Sequence, residues 1–104
     1  MDNEQLVLRI QGGDKGAENM LQLWKQNKGF IAMIARRYSA GAEMEDLEQE
    51  GYIALCEAVQ HYDPDRGKSF IGYAAFWIKR RMRICADNSR TVRLSFNAGD
   101  EVRQ

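Results

Sequence analysis

The stretch SFIGYAAFWIKRRMR, residues 69–83, combines aromatic rings and positive charges over about four turns of a predicted helix. At about 100° per residue, one side of this helix carries two rings and three cations: Tyr73, Phe76, Lys79, Arg80 and Arg83. Roughly opposite lies a set that suits a buried core: Ala74, Trp77, Ile78, Met82 and Cys85. Rings with interleaved cations favour unpaired nucleic acid, because bases stack on rings while cations meet phosphates. The alternative is an ordinary amphipathic helix whose Arg and Lys side chains extend their charged ends into water.

The charge is unevenly distributed along the chain, although the net charge at pH 7 is zero. Residues 43–57 contain six acidic residues and no Lys or Arg, whereas residues 76–93 contain six cations and a single acid, Asp87. The overall balance therefore hides an acidic segment and a basic segment. Such an asymmetry predicts two different partners.

The acidic segment forms a predicted helix with two distinct faces, opening at Glu45 or Asp46 and ending near Tyr62. One face can enter a core: Leu47, Gly51, Ala54, Leu55, Ala58 and Tyr62. The nearly opposite face carries polar and acidic groups around one apolar residue: Asp46, Gln49, Glu50, Ile53 and Glu57. This arrangement suits a docking surface, in which carboxylates select a basic partner and Ile53 supplies apolar area. The alternative is a solvated helix face with one exposed isoleucine.

The remaining pattern predicts an all-α fold, a compact bundle of about four to five helices, in a chain of 104 residues that fits one small domain. We expect a first helix capped by Asp2 or Asn3 and a second helix capped by Asp14. Gly29 either interrupts this second helix or is tolerated within it. Residues 39–44 read as a loop and residues 61–69 as a turn. Ser69 can cap the aromatic–basic helix, which should end near residues 87–88.

The domain is therefore expected to span residues 1–88. Residues 89–104 are expected to form an irregular C-terminal tail leading toward a missing downstream domain, with a candidate extended stretch over residues 91–96.

The segment DLEQEGYIALCEAVQHYDPDRGKSFIGYAAFWIKRRM, residues 46–82, closely resembles region 2 of bacterial RNA polymerase sigma factors of the sigma-70 family. It carries nearly every position of the family pattern without gaps, from D-L-x-Q-E-G through D-P-x-x-G to Y-A-x-x-W-I. The upstream helices and the segment RTVRLS, residues 90–95, are similar to flanking parts of the same family. The resemblance implies a sigma factor domain that binds core RNA polymerase and melts the minus-ten promoter element during transcription initiation.

This resemblance implies a role for each matched residue. Four residues match the face that docks on a coiled coil of the polymerase's largest subunit: Asp46, Gln49, Glu50 and Ile53. Tyr73 matches the ring that stacks on a flipped-out adenine of the non-template strand, and Phe76 and Trp77 match an aromatic pair at the upstream fork. Five more residues match family positions around the pocket that receives the flipped base: Tyr62, Arg66, Gly67, Phe70 and Gly72. Lys79 and Arg80 match positions that meet phosphate and the upstream edge of the element, and Arg83 shares their helix face.

Several departures from the family pattern point to an alternative, non-housekeeping sigma factor. Phe76 stands where many members carry Trp, Gly72 where housekeeping members often carry a hydroxyl residue, and Arg80 where they carry an amide. Ser95 stands at a position where Pro is common in the family. The family's helix-turn-helix domain, which reads the minus-thirty-five element, is missing from this sequence, so a domain cut from a longer sigma factor is expected, with a natural short sigma-like protein as the alternative. A second interpretation is a sigma-like interaction module that binds polymerase or an anti-sigma protein without melting DNA.

The sequence favours a protein without enzymatic activity, metal or cofactor. Its single histidine, His61, is more typical of a helix end than of a catalyst, and no metal-ligand spacing is present. Cys56 and Cys85 lie inside helical patterns and are expected to remain reduced, as in a cytoplasmic protein. The acidic N-terminus does not resemble a signal peptide, and no apolar run approaches the roughly 20 residues that span a bilayer. A cytoplasmic location without a membrane partner is therefore expected.

Overall fold

The structure, a computed structural model, describes the backbone of residues 1–102 and the side chains of residues 1–88. It contains four α-helices in chain order: α1 (Asn3–Gln11), α2 (Gly16–Arg36), α3 (Met44–His61) and α4 (Phe70–Val102). A short 3₁₀ turn, Pro64–Arg66, joins α3 to α4. No strand occurs within residues 1–102. The predicted all-α bundle is therefore confirmed.

The beginnings of the first two helices follow different rules. Asp2 caps α1 by accepting a hydrogen bond from the Gln5 backbone, and the Gln5 side chain accepts one from the Asp2 backbone in return. The second helix departs from the prediction, because α2 begins at Gly16 after Lys15 in the left-handed region (φ 49°), with no side-chain cap. Asp14 instead forms an ion pair with Arg9 and accepts the Asn19 side-chain amide on its carbonyl.

The core lies mainly between α3 and α4 and is closed by α1 and α2. The whole predicted apolar face of α3 is buried, together with Val59. From α4, Phe70, Ala74, Ile78 and Met82 have no exposed surface. The helical periodicity therefore separates most of the core from the surface, although Trp77 and Cys85 of the predicted core set are only half-buried. The opposite faces of α3 and α4 remain available to partners.

Gly51 marks the closest approach of α3 to its neighbours. A Cβ atom at this position would lie 2.5 Å from Cγ2 of Ile31 and 3.0 Å from Cε of Met82. Ile31 is fully buried and stiff at its branched Cβ, so it cannot move aside easily. Only glycine lets α2, α3 and α4 meet at this distance.

We expect Gly51→Ala to lower the free energy of unfolding by about 1–3 kcal/mol, because overpacking outweighs the better helix propensity of alanine. Urea denaturation followed by circular dichroism measures this change. Gly29→Ala is the matched control, since Gly29 lies within α2 with open space around it. That control should stabilise the protein by roughly 0.5–1 kcal/mol. Equal effects of the two substitutions would contradict the close packing at Gly51.

The last helix is longer than the sequence predicted. Its backbone continues past residues 87–88 to Val102, so the expected irregular tail and the candidate extended stretch over residues 91–96 are both wrong for residues 89–102. The physical reason is the absence of a helix breaker. Residues 89–98 contain neither Pro nor Gly, and helix propagation costs little at each ordinary residue.

Candidate nucleic-acid and protein interfaces

The exposed side of α4 carries the predicted rings and cations. Ser69 begins the helix by accepting a hydrogen bond from the Gly72 backbone on its hydroxyl, as expected. Phe76 is 64% exposed, which is unusual for a phenylalanine and leaves its ring open to a partner. Lys79, Arg80 and Arg83 are exposed on the same helix. An open ring beside three cations is the combination that unpaired nucleic acid requires.

A cleft of about 530 Å³ opens beside the first turn of α4. It is lined by six residues from the end of α3, the connecting turn and α4: His61, Tyr62, Asp63, Arg66, Lys68 and Tyr73. The turn doubles back because Asp63 caps the 3₁₀ turn and Gly67 takes a left-handed conformation (φ 80°). Arg66 is thereby left exposed at the rim, where its Nε lies 3.9 Å from Oδ2 of Asp63. The cleft thus offers rings at its wall and cations at its entrance.

Two of the rings that line this cleft, Tyr62 and Tyr73, pack together, and Phe70 lies behind them. The Tyr62 ring lies 5.7 Å from that of Tyr73 and meets Phe70 edge to face at 5.3 Å. Tyr62 donates a hydrogen bond from its hydroxyl to the Lys68 carbonyl, and burial raises the pKa of this phenol. Phe70 is fully buried and Tyr62 is 6% exposed, which leaves Tyr73, half-buried, as the accessible ring. Tyr62 and Phe70 therefore support the cleft from beneath.

Trp77 occupies a position between core and surface. It is half-buried, and its ring stacks on His61 at 5.2 Å with an angle of 19° between the planes. Its Nε1 atom is buried without a hydrogen-bond partner in the described part of the chain. The His61 ring is in turn held by a 2.9 Å hydrogen bond between Nδ1 and the Glu57 carbonyl. Trp77 thus braces the wall of the cleft through His61, whereas Phe76 beside it faces solvent.

The acidic side of α3 presents most of its predicted docking residues. Asp46 and Gln49 are exposed, and Ile53 is 41% exposed in their midst. Glu50 is half-buried, because part of its carboxylate surface is covered by α4. The face is therefore a real surface with an apolar centre, and one of its carboxylates is already engaged within the protein.

Arg81 is the residue that engages this carboxylate. Its Nε donates to Glu50 Oε1 at 2.8 Å, and its Nη1 lies 3.2 Å from Glu57 Oε1. The hydrogen bond that Arg81 donates to Glu50 is the main cause that raises the pKa of Arg81 above its ordinary value. We call this arrangement the Glu50–Arg81–Glu57 clamp. It joins α3 to α4 and removes Arg81 from the set of cations available to an external ligand.

The sequence did not single out several residues of these surfaces. His61 and Lys68 line the cleft, and Arg81 forms the clamp. Lys68 could have been found from the sequence, because it lies in the predicted turn directly after Arg66 and Gly67, which match the family pattern. The sequence spacing does not indicate that Arg81 pairs with Glu57 and Glu50, which precede it by 24 and 31 positions. That pairing depends on how α3 and α4 are rotated against each other.

Comparisons with known proteins agree with this geometry. The family model described as Sigma-70 region 2 matches residues 23–89. The chain is 35% identical over 95 residues to RNA polymerase sigma factor SigA4 of Synechococcus elongatus, covering 89% of this chain and 30% of that protein. It is 40% identical over 83 residues to RNA polymerase sigma-C factor of Myxococcus xanthus, covering 79% and 28%. It is 35% identical over 99 residues to RNA polymerase sigma factor RpoS of Coxiella burnetii, covering 93% and 28%.

The chain thus spans less than a third of the length of each of these relatives. No solved structure shows significant similarity to it. Within the described residues, no helix has both the length and the apolar character needed to cross a bilayer. The family match covers more than half of the chain, including α3, the cleft and the described side chains of α4. The chain therefore belongs to the Sigma-70 region 2 family.

Proposed function

We propose that this protein is the promoter-melting module of a sigma factor of the alternative, non-housekeeping type. It binds core RNA polymerase through α3 and captures the non-template strand of the minus-ten element through the cleft and α4. The observation that carries the proposal is the accessible ring of Tyr73 in a cleft rimmed by cations, beside the exposed Phe76. The action on polymerase and promoter DNA implies a cytoplasmic location.

The energetics of this function need no enzymatic step. Flipping a base out of a duplex costs a few kcal/mol of stacking and pairing. Stacking of that base on an aromatic side chain returns roughly 1–3 kcal/mol. Tyr73 can supply this stacking only to a base that has left the duplex, so binding itself favours the open strand. The protein acts as a binding factor, and no catalytic residue, metal or cofactor is invoked.

The experiment that tests DNA capture compares single-stranded and duplex forms of one sequence. We expect the protein to bind a fluorescein-labelled non-template minus-ten strand more tightly than the same sequence as duplex, as measured by fluorescence anisotropy. Equal affinity for both forms would contradict strand capture. It would favour the second interpretation, an interaction module that binds polymerase or an anti-sigma protein without melting DNA.

The docking half of the proposal concerns the exposed residues of α3. Asp46, Gln49, Glu50 and Ile53 form a surface for a basic coiled coil of the polymerase's largest subunit. Carboxylates around an apolar centre provide charge complementarity at the rim and desolvated contact in the middle. An incoming cation would share Glu50 with Arg81, which already holds that carboxylate in a fixed orientation.

Reversal of one charge tests this docking surface. We expect Glu50→Lys to weaken binding to core RNA polymerase by about tenfold or more, because a charge at the centre of an interface is replaced by a repulsive one. Biolayer interferometry with immobilised core enzyme measures the affinity, and circular dichroism verifies the helical fold.

Glu57→Lys is the matched control for this experiment. It disrupts the Glu50–Arg81–Glu57 clamp from the other side, and although Glu57 shares the acidic face of α3, it is not among the four residues proposed to contact polymerase. The control should bind core polymerase with an affinity close to that of the original protein. If both reversals weaken binding equally, the loss comes from the clamp, and Glu50 is not a docking residue.

A further inference from the structure

His61 is the residue of the cleft beside α4 whose charge can change near neutral pH. It is the single histidine of the chain, its side chain is exposed, and it lines the cleft together with Tyr73. Imidazole is the side chain that ordinarily gains its positive charge between roughly pH 8 and pH 5. The electrostatic character of the cleft can therefore respond to pH through this one residue.

A hydrogen bond fixes the tautomer of the His61 ring. Its Nδ1 atom lies 2.9 Å from the Glu57 carbonyl oxygen. A carbonyl oxygen can only accept, so Nδ1 carries the proton and donates this bond. In the neutral ring Nε2 is then an unprotonated acceptor, and no hydrogen bond joins it to another described residue. Protonation therefore occurs at Nε2, where it creates a new N–H donor and leaves the existing hydrogen bond intact.

The neighbours of the ring hold it in place and suit its charged form. Trp77 stacks on it at 5.2 Å with an angle of 19° between the planes, and an indole face attracts a cation placed over it. The backbone carbonyl of His61 accepts a 3.4 Å hydrogen bond from the Tyr73 hydroxyl. A protonated His61 would thus sit in a fixed position beside the ring that we propose stacks on the flipped base.

The charges around the ring leave room for an additional cation. The charged and titratable groups come from each element packed there: Glu4 on α1, Glu57 on α3, Asp63, Arg66 and Lys68 in the turn, and Tyr73 and Arg81 on α4. The Glu57 carboxylate is already bound by Arg81. The cleft lining itself holds two cations, Arg66 and Lys68, against one carboxylate, Asp63. This surplus of one positive charge becomes two when His61 is protonated, which favours an anionic ligand.

We propose that His61 is a phosphate-binding residue of the cleft, and that its protonation at Nε2 strengthens capture of the non-template strand as the pH falls. The new N–H donates to a phosphate oxygen beside the nucleotide whose base stacks on Tyr73. The inference rests on the proposed function, because the ligand is the same strand. Binding favours the protonated ring, so a proton is taken up on binding and the affinity rises as the pH is lowered. Matched and scrambled strands should gain equally, because a phosphate contact carries no base information.

The experiment titrates the fluorescein-labelled minus-ten strand at about pH 7.5 and about pH 5.5, a range above that in which Asp and Glu ordinarily titrate. Anisotropy should show roughly three- to tenfold tighter binding at the lower pH, as expected for one charge-assisted hydrogen bond. The slope of the logarithm of affinity against the logarithm of salt concentration should also steepen by about 0.7, because one more phosphate is neutralised. Circular dichroism at both pH values verifies the fold.

Three variants assign the effect to the imidazole. His61→Gln is neutral at every pH, so its affinity should stay at the value that the original protein has at the higher pH. His61→Lys is charged throughout, so it should bind at the higher pH about as tightly as the original protein does at the lower pH. Arg66→Gln is the matched control, because it removes an exposed cleft cation that does not titrate in this range. It should weaken binding at both pH values and keep the gain on acidification.

The outcomes separate this inference from the proposed strand capture. A gain on acidification that survives in His61→Gln would assign the titration to another group and overturn the inference. Equal affinity of the original protein at both pH values would overturn it too, while strand capture would stand. If the single strand binds no better than the duplex at either pH, strand capture fails and the inference falls with it. Should His61→Gln fail to fold, His61→Lys and the salt slopes of the original protein decide the question.

Discussion

Replacing Tyr73 with alanine should reduce affinity for the unpaired minus-ten strand by roughly five- to hundredfold, because stacking on one ring contributes about 1–3 kcal/mol. The same change should remove the preference for a matched strand over a scrambled strand, since the flipped base loses its stacking partner. Titration of both strands by fluorescence anisotropy measures the affinity and the preference together.

Two further variants make this result specific to the ring. Tyr73→Phe keeps the stacking surface and loses only a 3.4 Å hydrogen bond from the hydroxyl to the His61 carbonyl, so it should bind nearly as well as the original protein. Lys79→Ala should weaken matched and scrambled strands by the same factor, because a phosphate contact carries no base information. A sequence preference that survives in Tyr73→Ala would show that another group recognises the base.

Phe70→Ala should lower the free energy of unfolding by about 3–5 kcal/mol, the usual cost of deleting a fully buried aromatic side chain. Phe70 has no exposed surface, packs edge to face against Tyr62, and donates its backbone N–H to Glu4 at 2.6 Å. The loss would remove a large share of the roughly 5–15 kcal/mol that stabilises a domain of this size. Urea denaturation monitored by circular dichroism measures it.

Phe76→Ala provides the control on the same helix. Phe76 is mostly exposed, so its removal should change the free energy of unfolding by no more than about 0.5 kcal/mol. It should instead weaken binding of the single strand. If Phe76→Ala destabilises the protein as much as Phe70→Ala does, the exposed ring is part of the core and not of a nucleic-acid interface.

The two faces of α3 and α4 could be read from the sequence because they follow the helical period. Positions such as Ala74, Ile78 and Met82 repeat every four residues and are all buried, while Phe76 falls between them and is exposed. The Ser69 cap was equally predictable, because a hydroxyl before an apolar helical pattern is a local signal. The turn beside the cleft was also predictable, because its proline and glycine favour a chain reversal, whereas a pocket at this place was implied only by the family resemblance.

What the sequence could not predict depends on how helices are rotated and where they stop. The Arg81 side chain meets Glu50 and Glu57, and Trp24 meets Tyr52, only after distant segments have packed. The beginning of α2 was mispredicted because Asp14 had another partner in Arg9, which competes with capping. The end of α4 was mispredicted because no proline or glycine in residues 89–98 marks a stop, and a helix that has already formed extends at little cost per residue.

The Glu50–Arg81–Glu57 clamp would also limit the number of condensed counterions released in the proposed binding of DNA. For a single strand, the logarithm of affinity falls with the logarithm of salt concentration by about 0.7 for each neutralised phosphate, so three contacts give a slope of about −2. The described side chains of α4 offer three exposed cations: Lys79, Arg80 and Arg83. A fourth, Arg81, is neutralised by the protein's own carboxylates. Because that charge is held internally, the proposed DNA binding by α4 would depend less on ionic attraction, which any sequence provides, and relatively more on ring stacking, which only an open strand can provide.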